Sequence, residues 1–281
     1  MHWNRRQFIA RTAGLSVIAS AGVVFYTCKI GPQHLRIAQY DMPLPHLPDH
    51  WRGKKLVHIS DLHIGKDVDD NYLMRCFGCI ADFNPDIIVF TGDFMTCVND
   101  EEIEHVRTVL AHLQPAKLGT IGIFGNHDYA QGWKNHQVAD ALAEQLSHTE
   151  MTILRNQSLN LDGLHFFGMD DLWAKRFNPE TTFKGIKTGQ AHIALTHNPD
   201  TVDCDGWNKF HGWILAGHTH GGQCRPPFLP PPLLPVNNRR YTQGIFDLGA
   251  DKGMLHISPG LGHLNRVRFL ARPEITVFTL V

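Results

Sequence analysis

Five apolar runs, at residues 55–59, 87–90, 120–124, 193–195 and 213–216, each end on a short polar cluster, and this repetition restricts what the chain can fold into. Runs of that length bounded by glycine and turn residues read as buried strands. The clusters are Asp61-Leu62-His63, Gly92-Asp93, Gly125-Asn126-His127-Asp128, Thr196-His197-Asn198 and Gly217-His218-Thr219-His220. In open α/β sheets, functional groups gather beyond the carboxyl ends of the strands, so the five clusters are expected to meet on one rim. Gly92, Gly125 and Gly217 fit tight turns that bring the backbone close to it.

The clusters combine carboxylate or amide oxygens with imidazole nitrogens, donors that hold Mn, Fe or Zn rather than thiolate-preferring metals. Alternate residues of an extended segment point the same way, so Asp61 and His63 are expected to reach one cation together; His218 and His220 repeat the spacing. With 19 histidines in the chain, most cannot be ligands, and His58, His165, His192, His211, His256 and His263 read as structural or solvated.

In order and without a gap, the clusters spell D-x-H, GD, GNH[DE], H and GHxH. Over roughly residues 55–281 the chain thereby resembles the calcineurin-like metallophosphoesterase superfamily, in particular its exported bacterial phosphodiesterases with twin-arginine signals. The resemblance implies an α/β four-layer sandwich of two mixed β-sheets flanked by helices. It implies two divalent metal ions, one held by Asp61, His63 and His220, the other by Asn126, His197 and His218, with Asp93 bridging. His127 would be the catalytic histidine outside the ligand set, stabilising the transition state or protonating the leaving oxygen, with Asp128 orienting it. The implied reaction is phosphodiester hydrolysis by a metal-activated hydroxide. Two cations about 3.5–4 Å apart clamp a phosphoryl oxygen and lower the pKa of a bridging water. A histidine with an unperturbed pKa near 6.5 can protonate a leaving alkoxide. A lipid-linked substrate is the alternative, through a membrane-associated pyrophosphatase that cleaves the UDP-2,3-diacylglucosamine intermediate of lipid A synthesis. A non-catalytic scaffold is disfavoured, because all seven ligand positions and His127 are present.

A chain of 281 residues, 43% hydrophobic and 19% charged, has ample material for one large domain. Its net charge of -1 argues against an extended nucleic-acid surface, which needs a clustered basic excess. A monomer is expected. Six cysteines include Cys76 and Cys79, spaced i, i+3 on an expected helix over residues 71–82; Cys97, Cys204 and Cys224 supply no second pair at zinc-site spacing, so all read as structural thiols.

Asn4-Arg5-Arg6-Gln7-Phe8-Ile9 precedes an uncharged apolar stretch over residues 13–26, the pattern of a twin-arginine export signal. The stretch falls short of the roughly 20 residues of a spanning helix, and Ala19-Ser20-Ala21 offers a cleavage site. Cleaved, the signal sends the enzyme to the periplasm or cell envelope; uncleaved, it holds the enzyme at the inner membrane. The expected organisation is a signal or anchor over residues 1–30, a proline-punctuated linker over 31–54 with an edge strand at 35–39, and the metallophosphoesterase domain over 55–281. Helices are expected over 70–83, 100–113 and 134–147, a hairpin over 158–161 and 164–168, and further strands near Met254 and Ile275.

Directly after the last cluster, residues 225–235 carry six prolines, and Phe228, Leu229, Leu233 and Leu234 read as an apolar lip for a lipid or membrane, or else as a rigid surface loop. Arg239 and Arg240 are placed to meet a phosphate. Asp170-Asp171-Leu172-Trp173 is expected to shape the same rim or to cap a helix, and Gly260-Leu261-Gly262 to form a turn.

Overall fold

The structure, a computed structural model, describes residues 4–96, 101–207 and 210–281. It opens with helix α1 (Arg5–Phe25), started by a reciprocal cap: the Asn4 side chain accepts from the Gln7 amide at 2.9 Å, and the Gln7 side chain accepts from the Asn4 amide at 3.3 Å. The helix outruns the uncharged stretch at its N-terminal end, because Arg5, Arg6 and Arg11 lie within its turns. At 1.5 Å per residue it is about 31 Å long. With the turns that continue it to Gln33, it is long and apolar enough to cross a membrane, and none of its most apolar window is buried against the protein. The expectation that the segment is too short therefore fails on length.

The body contains β1 (Arg36–Met42), β2 (Lys55–Ile59), α2 (Asp70–Asp82), β3 (Ile87–Thr91), α3 (Glu101–Leu110), β4 (Gly119–Ile123), α4 (His136–Ser147), β5 (Met151–Ile153), β6 (Gln157–Leu161), β7 (Leu164–Gly168), α5 (Pro179–Thr182), β8 (Ala191–Leu195), β9 (Gly212–Ala216), β10 (Gly244–Asp247), β11 (Gly253–Ile257) and β12 (Glu274–Leu280). They form two six-stranded sheets, ordered β1-β12-β2-β3-β4-β5 and β10-β11-β9-β8-β7-β6. Both are mixed: the first is parallel except for β12 against β2, and the second is parallel except for its outer pairs β10/β11 and β6/β7. The expected Asp100 start of α3 and Cys97 lie outside the described residues.

Side-chain alternation assigns three apolar layers. Leu56, Val89, Ile123, Phe166, Leu195 and Trp213 fill the space between the sheets. Val57, Ile59, Ile88 and Phe90 on the opposite face meet α2, α3 and α4. Phe167, Ala194, Ile214 and Leu255 cover the far face with Trp207 and Phe210. Helix α2 is capped by Asp69 and buries Tyr72, Leu73, Cys76, Phe77 and Ile80, one stripe at helical spacing. The result is the four-layer sandwich of two mixed sheets with flanking helices.

The edge strand expected at 35–39 is β1, which joins the first sheet. Residues Arg36 to Met42 pair in parallel with Glu274 to Leu280 at the sheet edge, and Trp51 is buried with its indole N–H donating to the Asp162 carbonyl at 3.0 Å. Strands β5 and β10 are not among the expected elements: one has three residues, the other alternates half-buried and exposed positions at a sheet edge. Short edge strands leave a weak apolar pattern.

Candidate metal centre

All five polar clusters lie immediately beyond the carboxyl ends of β2, β3, β4, β8 and β9, where the two sheets meet. Asp61, His63, Asp93, Asn126, His197, His218 and His220 are each no more than 4% exposed, while His127 is half-buried at the rim. The donor atoms of Asp61, His63 and His220 lie within 4.8 Å of one another, as do those of Asp93, His197 and His218, and those of His63, Asp93 and His127.

Extended alternation is not what aims these side chains. Asp61, His63, Asp93, His218 and His220 all adopt left-handed backbone conformations, with φ of 52°, 48°, 56°, 70° and 50°. Each strand has already ended, and successive reversals of the chain turn the paired residues inward. His220 thus joins Asp61 and His63, while His218, two residues away, joins Asp93 and His197. Such conformations cost of order 1–3 kcal/mol per residue and persist only where the surroundings over-determine them. Here the surroundings are explicit. The Asp61 amide donates to the Gly92 carbonyl at 2.9 Å, the His63 amide to Asp93 O at 3.1 Å, and the His218 amide to the Asp61 carboxylate at 3.1 Å. Gly217 is required by close approach: a Cβ there would stand 1.9 Å from Ser60 Oγ and 2.5 Å from Asp61 Oδ2.

Asp128 does not touch His127. Its carboxylate accepts from the amides of Asp93 (2.9 Å), Phe94 (2.9 Å), Met95 (3.3 Å) and Gly125 (2.8 Å), tying the loop after β3 to the loop after β4. The expectation that it orients the histidine fails because four backbone donors occupy it. His127 is positioned by its own amide, which donates to Asp93 Oδ1 at 2.9 Å, and by Nδ1, 3.4 Å from the Thr96 carbonyl.

The donor set fits divalent cations. His197 Nδ1 lies 2.7 Å from the Thr91 carbonyl, which can only accept, so Nδ1 carries a proton and Nε2 is the nitrogen turned to the cluster. That Nε2 stands 3.1 Å from His218 Nδ1, and His63 Nε2 stands 3.1 Å from His220 Nε2. Asp93 Oδ2 lies between the two pairs, 3.5 Å from His63 Nε2 and 3.2 Å from His197 Nε2. Buried and without any hydrogen-bond partner are both side-chain polar atoms of Asn126, Nδ1 of His63 and Nε2 of His218. Unpaired buried polar atoms are costly, and a cation facing the Asn126 oxygen offsets part of that cost.

Electrostatics divide the four histidines: burial opposes charge on His197, but the Asp93 carboxylate beside it raises that ring to about 10. Burial holds His63 and His218 down at about 3, and His220 well below its ordinary value, so these rings are neutral. Burial pushes Asp61 up to about 6 against the pull of His197. Burial also opposes charge on Asp93, but His197 beside it holds its carboxyl well below the usual range.

Arg268 and Trp173 complete the walls. Arg268 is fully buried, and its Nη2 donates to the carbonyls of Gly262 at 2.5 Å and Pro259 at 2.8 Å while passing 3.4 Å from His220 Nδ1. In the sequence nothing separates it from Arg266 two residues earlier; only the long-range fold does. The Gly260-Leu261-Gly262 turn braces the first cluster, with the Leu261 amide on Ser60 O at 3.0 Å and the Gly262 amide on Asp61 O at 2.7 Å. The Trp173 ring meets His218 edge-on at 4.3 Å, so the 170–173 segment does shape the rim. Arg239 and Arg240 instead donate to the carbonyls of Pro231 and Asp247. The described cysteines Cys28, Cys76, Cys79, Cys204 and Cys224 are free thiols.

The profile of the calcineurin-like phosphoesterase family matches residues 54–222, more than half of the chain. The chain belongs to that family. Phosphodiesterase YaeI of Escherichia coli (strain K12) is 28% identical over 289 residues, covering 99% of each chain. The uncharacterized metallophosphoesterase YkuE of Bacillus subtilis (strain 168) is 31% identical over 292 residues, covering 99% of this chain and 97% of that one. UDP-2,3-diacylglucosamine pyrophosphatase LpxG of Chlamydia trachomatis serovar D is 29% identical over 316 residues, covering 94% and 95%. This chain is accordingly a metallophosphoesterase, a hydrolase of phosphoric esters with a buried metal-binding cluster of histidine and aspartate.

Proposed function

We propose that the chain is a phosphodiesterase working with two divalent cations, Mn, Fe or Zn, one held by Asp61, His63 and His220, the other by Asn126, His197 and His218, with Asp93 shared between them. The observation that carries this reading is the place of Asp93 Oδ2, 3.5 Å from His63 Nε2 in one donor group and 3.2 Å from His197 Nε2 in the other. When bound, such a pair of cations neutralises phosphoryl charge and lowers the pKa of a water for in-line attack.

The protein's own groups do the rest. Asp128 fixes the loops that carry Asp93 and Asn126 through its four backbone contacts, so the donor set is held rigid before substrate arrives. Trp173 packs on His218 and keeps water off that side. His127 stands at the half-buried rim with Nδ1 toward the Thr96 carbonyl, which leaves Nε2 to donate a proton to the leaving oxygen.

Hydrolysis of the pyrophosphate bond of a lipid-linked nucleotide, as the name UDP-2,3-diacylglucosamine pyrophosphatase says of the chlamydial relatives, is the second reading. Helix α1 and the exposed Phe228, Leu229 and Leu233 favour it. In our reading residues 1–30 act as a twin-arginine export signal or remain as an inner-membrane anchor, residues 31–54 tie that segment to the body through β1, and residues 55–281 form the rest of the catalytic domain. The enzyme acts as a monomer with no extended nucleic-acid partner, consistent with its net charge of -1.

The test is hydrolysis by the Mn-reconstituted full chain of bis(p-nitrophenyl) phosphate beside UDP-2,3-diacylglucosamine. Cleavage of the aryl diester is expected. Preference for the lipid nucleotide moves the assignment to the second reading, and silence on both contradicts a hydrolytic role.

A further inference from the structure

A cavity of about 420 Å³ opens beside the metal centre, with His220 in its wall and Leu233, Leu234, Leu264 and Val267 along its length. Its size falls within the roughly 300–1,000 Å³ of small-molecule sites. One bank is the proline-rich segment, which Arg239 holds through the Pro231 carbonyl and Asp200 holds by accepting the amides of Asn237 at 2.7 Å and Asn238 at 3.0 Å. Pro231 packs so closely that a Cβ on Gly222 would stand 2.3 Å from it. The bank is therefore a built wall, and it still exposes Phe228 fully, Leu229 at 66% and Leu233 at 80%.

The floor of this groove is joined to the end of the N-terminal helix. The Phe269 amide donates to Gln223 O at 2.8 Å and the Arg225 amide to Phe269 O at 2.8 Å. On the other side of the same segment, the Arg268 amide donates to Thr27 O at 2.9 Å, and the Phe269 ring meets Tyr26 edge-on at 6.2 Å. A bilayer entered by α1 would therefore lie next to the groove, whose lining is apolar at Leu233, Leu234 and Leu264 and which reaches His220 of the metal cluster.

We propose that this groove, between residues 232–235 and 264–267, binds an acyl or alkyl chain of a membrane-held phosphodiester and threads its head group to the metal centre. The proposal rests on the phosphodiesterase reading above and names the substrate class it takes. A chain leaving the bilayer moves from one apolar surface to another, and its phosphate arrives at His220 without crossing open water.

The experiment uses the full chain, Mn-loaded, in phosphatidylcholine vesicles, with butyl and octyl p-nitrophenyl phosphate diesters as probes. Both binding, by competition against a fluorescent octyl phosphodiester, and hydrolysis are read. A buried methylene contributes about fourfold in affinity. Leu233→Ser combined with Leu264→Ser is expected to lower the octyl-to-butyl ratio, in binding and in kcat/KM, by tenfold or more. Leu264→Trp, which fills the groove, should act in the same direction. Because all proteins are compared in the same vesicles, partition of the probes cancels. An unchanged ratio overturns the groove, as does a loss explained by weaker flotation of the variants with the vesicles, which would make the lip a membrane contact alone. Hydrolysis without chain-length selectivity removes the groove and leaves the phosphodiesterase standing. Selective binding without hydrolysis of either probe keeps the groove and removes the phosphodiesterase.

Discussion

Five of the side chains that build the centre sit on left-handed backbone, and this is why two residues of one cluster, His218 and His220, serve different donor groups. Spacing in the sequence suggests a shared direction; the chain reversals after each strand separate them. The same geometry leaves His127 apart from its neighbours, half-buried where they are sealed in. Replacing it should leave metal content intact and lower turnover. We expect His127→Ala to retain wild-type metal stoichiometry while kcat falls about a hundredfold or more, the usual contribution of a positioned proton donor. Turnover at the wild-type rate would remove the role assigned to it, and loss of a cation would make it a ligand, which its place within 4.8 Å of His63 and Asp93 donors makes a real comparison.

Between the sheets, β2 and β11 meet through a pair of buried histidines. His58 Nδ1 lies 3.0 Å from His256 Nδ1, and His58 Nε2 lies 2.9 Å from Thr91 Oγ1, one residue from the loop that carries Asp93. Removing one partner strands the other, so His58→Leu should cost about 1–3 kcal/mol and the double variant with His256→Leu less. Burial holds His58 well below and His256 below their ordinary 6.5, so the unfolded chain takes up protons that the folded one refuses. The stability these rings contribute is present above pH 6.5 and declines as pH falls below it. Urea unfolding at pH 7 and pH 5 should show a smaller loss in the double variant than in the wild type; equal losses would contradict the pairing. Strands β3, β8 and β9 were legible, because they are buried on both faces and read as continuous hydrophobic stretches. The pairing was not legible, since it joins residues 198 positions apart. Arg268 and the amides of Asp93, Phe94 and Met95 on Asp128 escaped for the same reason, whereas β1 was legible as an edge strand at 35–39 and only its parallel pairing with β12 was not.

At the scale of the whole molecule, two sheets bring five strand ends to one crevice, and the segment beside that crevice also receives the end of an apolar helix. The cluster motifs were readable because each follows its strand directly. The direction of the helix relative to the crevice was not, because it depends on contacts between Thr27 and Arg268, 241 residues apart by their numbers. Everything assigned to the chemistry depends on the number of cations that meet at Asp93. The direct measurement is equilibrium dialysis of the full chain against Mn, with bound metal and hydrolysis of bis(p-nitrophenyl) phosphate read on the same samples. Two ions per chain are expected, with hydrolysis rising as the second is taken up. Full hydrolysis with one ion bound, or with none, would contradict the shared carboxylate at the centre of the mechanism.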